Sequence, residues 1–184
     1  MKFSFFIFAM CALFISNTEI MAKDTQMVGG AAMYPTKNIV ENAINSKDRT
    51  TLVAAVKAEG LVETLQSAGP FTVFAPDNAA FDKLPKGTVE TLVKPENKTT
   101  LTGILTYHVL AGKFDAKSIV AAIKKGNGTA TFTTVSGGKL KASQKGKDVI
   151  LTDENGGKAT VTIADVFQSN GVIHVIDTVV LPKS

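Results

Sequence analysis

Two strongly apolar segments, each framed by glycine and proline, lie about a hundred residues apart and limit the folds open to this chain. The first runs Gly69-Pro-Phe-Thr-Val-Phe-Ala-Pro-Asp-Asn-Ala-Ala-Phe81, the second Gly171-Val-Ile-His-Val-Ile-Asp-Thr-Val-Val-Leu-Pro182. Proline lacks a backbone N–H, so Pro76 and Pro182 mark where each strand must stop. Runs that are apolar on both faces suit neighbouring strands inside a core. Their polar members are then informative. His174 shares a face with Val172 and Ile176, and Asp177 shares the other with Val175 and Val179. Buried polar groups have to be hydrogen-bonded. Either these two satisfy backbone or side-chain partners within the core, or they contact a ligand.

The rest of the 184-residue chain divides by periodicity. Up to about residue 126 apolar residues recur at helical spacing. Helices are expected over Asn38–Asn45, from Thr50 or Thr51 to Gly60, from Leu61 through Leu65, over Asn78–Leu84 with Asp77 as cap, over Thr88–Val93, over Thr99–Tyr107, and from Asp115 or Ala116 to Gly126. From Thr129 the period becomes two. Strands are expected over Thr129–Val135, Lys139–Ser143, Val149–Asp153, Ala159–Ile163 and Val172–Leu181, with Gly137-Gly138, Gly146 and Asn155-Gly156-Gly157 at the turns. Helices first and strands second argue for an α+β domain over alternating βαβ units.

The N-terminus reads as a leader. Met1-Lys2 precedes an apolar run from Phe3 to Ile15, the pattern of a secretory signal peptide and too short to span a bilayer. The expected division is a signal peptide over residues 1–22, a flexible lead-in over 23–34 and one domain over 35–182, in a secreted or periplasmic protein. Cys11, the one cysteine, lies in the leader, so a mature domain without disulfides must be held by its own core. Met10 sits where a lipid-attachment signal wants a small residue. The leader carries one Lys and one Glu, so the net charge stays at +4 without it. Such mild basicity suits an acidic polysaccharide or a membrane surface. With one arginine, no tryptophan and scattered lysines, nucleic acid is not an expected partner. Lys139, Lys141, Lys145 and Lys147 come nearest to a cluster and read as a solvated edge-strand device.

Tyr107-His108 stands between the two segments, ahead of Val109-Leu110. Both apolar segments and this pair resemble the two homology boxes and central Tyr-His motif of the fasciclin (FAS1) family, over nearly all of the chain after the leader. The resemblance implies a twisted β-sheet wedge with packed helices. It also implies an extracellular adhesion or interaction module without catalysis or cofactor, and the single domain looks like bacterial secreted members. In animal members the Tyr-His pair is the centre of a proposed integrin-contact surface. Thr162-Ile-Ala-Asp-Val-Phe167 stands where those members carry Glu-Pro-Asp-Ile-Met. Asp165 matches and Val166 is similar, while Ile163 and Ala164 replace the Glu-Pro pair. The candidate partner-binding residues are therefore Tyr107, His108, Asp165 and Val166. The residues alone leave a plainer reading open: a tyrosine hydroxyl and an imidazole can lock a helix end to a neighbouring strand, and Asp165 can begin the turn toward Gly171.

Signs of catalysis are few. The chain has two histidines and no Gly-x-Ser-x-Gly elbow, and His108 with Ser118 or Ser169 is the one conceivable nucleophilic pair. No His/Cys cluster suggests a metal site and no glycine-rich loop has phosphate-binding spacing. Asn97-Lys-Thr99 and Asn127-Gly-Thr129 match the glycosylation pattern in surface loops. The expected partner is a cell-surface or matrix protein or polysaccharide, bound by a monomer. The alternative is a cell-envelope protein for a small ligand or polysaccharide, with a groove lined by Phe71, Phe74 or Phe114.

Overall fold

The computed structural model describes residues 25–183; the expected signal peptide with Cys11 lies outside them. The chain opens with a small hairpin, β1 (Gln26–Val28) and β2 (Ala31–Met33). Helices α1 (Ile39–Ala43), α2 (Thr50–Ala58) and α3 (Val62–Gln66) follow. Strand β3 (Phe71–Pro76) then leads into α4 (Asn78–Asp82), α5 (Thr88–Leu92) and α6 (Lys98–Tyr107). After β4 (Val109–Ala111) and α7 (Ala116–Lys125) come β5 (Thr129–Thr133), β6 (Lys139–Lys145), β7 (Asp148–Thr152), β8 (Lys158–Gln168) and β9 (Gly171–Ile176). This is the expected α+β architecture.

The helix starts follow from their caps. Asn38 and Glu41 form a reciprocal capping box at α1, Asp77 accepts from the Ala80 N–H at 2.7 Å, and Asp115 accepts from the Ser118 N–H at 2.7 Å. Each satisfies an N–H that the first turn leaves unpaired. Gly60 follows α2 at φ +70°, a left-handed conformation glycine adopts at little cost.

Among the described residues, seven strands form one sheet in the order β4-β3-β9-β8-β7-β6-β5. The two apolar boxes are its parallel neighbours, β3 and β9, in register from Phe71 opposite Gly171 to Pro76 opposite Ile176. Both are buried on two faces, which explains their unbroken apolar runs. Val73, Ala75, Ile173 and Val175 enter a core shared with α1, α2 and α6. Phe74 and Ile176 enter a second core, closed by Ile119 and Ile123 of α7 against β5, β6 and β7.

The structure departs from the sequence expectations in four places. The lead-in is structured where described: β1 and β2 pair across Gly29-Gly30, both at positive φ, and Val28 and Met33 are each only 2% exposed in the first core. A two-glycine turn between short apolar pairs is a hairpin signal. Next, β8 runs on to Gln168 through irregular register, with Asp165 at φ +59°; the turn comes later, at Ser169-Asn170. Third, β9 ends at Ile176. Val179 and Val180 stay buried without continuing the ladder, so their apolarity reports packing and not strand. Last, the lysine-bearing β6 is not the edge of the sheet, because β5 covers it.

Candidate functional site

The Tyr-His pair sits where α6 hands over to β4. Tyr107 is 0% exposed and His108 3%. The Tyr107 hydroxyl donates to the Lys139 carbonyl at 2.7 Å and accepts from the Glu154 N–H at 3.3 Å. It thereby ties the end of α6 to the start of β6 and to the β7–β8 turn. Gly138 lets the ring in: a Cβ there would lie 2.7 Å from Tyr107 Cε2. Burial first, then the nearby Glu154 and Asp153 carboxylates, push the phenol up to about 12, opposed by the Glu154 hydrogen bond.

His108 is held through both ring nitrogens. Nδ1 lies 2.8 Å from the Ile104 carbonyl and Nε2 3.2 Å from the Val180 N–H. A carbonyl only accepts and an N–H only donates, so this geometry selects the neutral ring with its proton on Nδ1. Burial drives its pKa down to about 4, despite the Ile104 carbonyl and the Asp153 charge, which both favour protonation. The bond to Val180 pins the segment that follows β9.

The β7–β8 turn completes the clasp. Asp153 accepts from the Asn155 and Gly157 N–H groups with Oδ1 and from the Leu181 N–H with Oδ2 at 3.0 Å. Glu154 accepts from the N–H groups of Lys139 and Lys183. Asn155 donates to the carbonyls of Leu181 and Pro182. Asp153, Glu154 and Asn155 are the residues that reasoning from sequence missed. In sequence Asn155 reads only as part of a turn, and nothing local to it signals a partner 26 residues away.

Asp165 and Val166 engage a different set of groups. Val166 is 1% exposed, inside the first core. Asp165 is half-buried and accepts from the Ala116 N–H at 2.7 Å, at the start of α7. Its own N–H donates to His174 Nδ1 at 3.3 Å, while His174 Nε2 lies 2.8 Å from the Phe114 carbonyl. His174 is thus the other neutral tautomer, protonated on Nε2, with its pKa lowered chiefly by burial. It stacks on Phe74 at 5.6 Å. Asp177 accepts from the Thr160 N–H at 2.7 Å and from the Thr178 hydroxyl at 3.0 Å. Burial would raise its carboxyl, but these bonds and Lys83 hold it below the usual range. The polar members of the second box are therefore satisfied from within.

The side chains of Tyr107, His108 and Val166 face inward, so a partner touching them would require the domain to open. Asp165 is the one of the four with partly exposed surface. The phenylalanines of the alternative groove separate. Phe71 packs against the first core, on the side of a cavity under α1–α3, whereas Phe74 and Phe114 lie in the second core, where Phe114 packs edge-on against Phe132. Among the described residues no group of three or more His, Cys, Asp or Glu is placed to hold a metal ion.

The fasciclin domain family model matches residues 47–182. The chain belongs to the fasciclin domain family. "Protein sll1483" of Synechocystis sp. is 47% identical over 169 residues, covering 91% of this chain and 84% of that protein. "Cell surface glycolipoprotein MPB83" of Mycobacterium bovis is 34% identical over 162 residues, 85% of this chain and 64% of that protein. Among solved structures, a FAS1 domain pair from the insect cell adhesion molecule Fasciclin I superposes with a TM-score of 0.70 at 18% identity, over 79% of this chain and 51% of that one. At that identity the likeness speaks for the fold, and the fold is the fasciclin wedge expected from the boxes.

Proposed function

We propose that this fasciclin domain is a secreted or periplasmic interaction module that mediates adhesion to a cell-surface or matrix protein or polysaccharide, without turnover. The observation that carries this reading is the use made of the histidines. All four ring nitrogens are committed to backbone groups, and both rings are neutral. A general base needs a free nitrogen within reach of a proton to abstract. His108 spends its two on Ile104 and Val180, not on Ser118 or Ser169. The cell-surface glycolipoprotein among its relatives supports the location.

The contact surface that fits best is the outer face of β5–β8. Thr131, Lys141, Thr152 and Lys158 stand side by side across four strands in register, beside Thr133 and Lys139. The three lysines are exposed. Hydroxyls and ammonium groups in a row suit a surface bearing carboxylates. In this reading Tyr107 and His108 are positioning residues that hold β6 and the chain terminus in place. Asp165 is a contact of its own, where it emerges from the irregular stretch of β8.

The test is an attachment assay with the full chain immobilised on beads, presented to alginate, to collagen and to whole bacterial cells. The reading expects retention well above that of beads carrying the heat-unfolded chain, and a loss on Asp165→Ala if that residue makes contact. Retention equal to the unfolded control on every surface would overturn it.

A further inference from the structure

The outer face of β5–β8 is ordered more closely than general stickiness requires. Its side chains fall in rows that run across the strands. One row reads Thr131, Lys141, Thr152, Lys158, each residue opposite the next on the neighbouring strand. Hydroxyl and ammonium groups therefore alternate along it. Neighbouring strands lie about 4.8 Å apart, so the two lysines stand about 10 Å apart and the row spans about 14 Å. Thr131, Lys141 and Lys158 are exposed and Thr152 is half-buried.

The lysines outside this row have company. Lys139 donates to the Thr133 hydroxyl opposite it at 2.6 Å, and the Glu154 carboxylate accepts from its backbone N–H at 3.0 Å. Lys145 stands opposite Asp148. Among the described residues the ammonium groups of Lys141 and Lys158 have no hydrogen-bond or ion-pair partner. The row on the far side of them, Thr129, Ser143, Ile150 and Thr160, is uncharged. Free positive charge is thus confined to one line across the strands.

A line of two free cations with hydroxyls between and beside them suits a ligand built the same way. A polyuronate carries carboxylates at a fixed repeat with hydroxyls between them, and a pair of linked sugars in an extended chain is close to the spacing of the two lysines. The carboxylates of a folded protein have no such repeat. The rows contain no aromatic ring, so a sugar here is held by charge and hydroxyls and not by stacking. Exposed ion pairs are weak singly, and binding comes from making several along one chain.

We propose that this face binds one extended chain of a carboxylated polysaccharide laid across the strands, with Lys141 and Lys158 on its uronate carboxylates and Thr131 and Thr152 on its hydroxyls. The proposal rests on the adhesion reading and names the ligand and its direction on the sheet. Lys139 and Lys145 lie beside the bound chain and contribute little.

The test is calorimetric titration of the full chain with alginate oligomers of two to eight sugars, and with the same oligomers after reduction of their carboxyl groups to alcohols. Two double variants remove equal charge: Lys141→Ala/Lys158→Ala within the row and Lys139→Ala/Lys145→Ala outside it. Binding of the carboxylated oligomers should rise with length and level off by the tetrasaccharide, where the row is filled. The row variant should bind about tenfold or more weakly, the other within about threefold of the natural chain. Equal losses in the two variants would overturn the placement along the row. Equal binding of the reduced oligomers would overturn the carboxylate contacts. Failure of every alginate oligomer to bind, in a chain that still holds collagen or cells in the attachment assay, would overturn this proposal and leave the adhesion reading standing. Failure on every surface would overturn both.

Discussion

At His108 two backbone groups choose the protonation state of a side chain. A second proton would have to enter on Nε2, where the Val180 N–H already points. The unfolded chain takes up this proton below about pH 6.5, whereas the folded ring resists it to about pH 4. The unfolded state thus binds more protons within this window, and stability falls as pH drops from 6.5 towards 4. The loss totals about 3 kcal/mol and is absent above the window. His174 shifts in the same direction and adds to it. Urea unfolding at pH 7 and pH 4.5 measures the effect. Tyr107→Phe is expected to keep the packing and leave the Lys139 carbonyl and Glu154 N–H unpaired, at about 1–3 kcal/mol in the same assay.

At the scale of elements, caps and glycines decide more than propensity. Gly138 is needed for room and not for its backbone angle, since a Cβ would press on the edge of the Tyr107 ring. Gly138→Ala should therefore cost about 1–3 kcal/mol and shift the Tyr107 ring resonances, with Tyr107→Phe giving no relief. The helices were legible because Asn38, Asp77 and Asp115 announce their starts. Strands β3 and β9 were legible because apolar runs end at glycine and proline. The hairpin β1–β2 is not legible in the sequence because its three-residue strands are too short to show alternation. The full length of β8 was hidden by Asp165, whose positive φ breaks the period of two. Val179 and Val180 looked like strand because burial writes the same letters with or without a ladder. Tyr107-His108 was visible as a pair and as a lock. Its partners were not, since Lys139, Glu154 and Val180 lie 32 to 72 residues away.

Across the whole molecule, the sheet divides the labour. Its β3–β9 half is buried on both faces and carries the internal polar bonds. Its β5–β8 half turns one face to solvent, with Lys139 and Lys141 on β6 and Lys158 of β8 in the same cross-strand row as Lys141. If that face makes the adhesive contact, the double variant Lys139→Glu/Lys141→Glu should leave the fold intact and lower retention on alginate at least tenfold. Added salt should weaken the natural chain's retention and barely affect the variant's. Both expectations depend on a rigid face, and the rigidity comes from the clasp of Tyr107, His108 and the 153–155 turn around the chain terminus. The most direct test of that clasp is an NMR pH titration of the two histidine rings with nitrogen shifts resolved. The account predicts that His108 stays neutral, protonated on Nδ1, down to about pH 4, and that its charging coincides with loss of the Val180 amide's protection. A His108 ring that titrates near pH 6.5 in a protein that stays folded would contradict it.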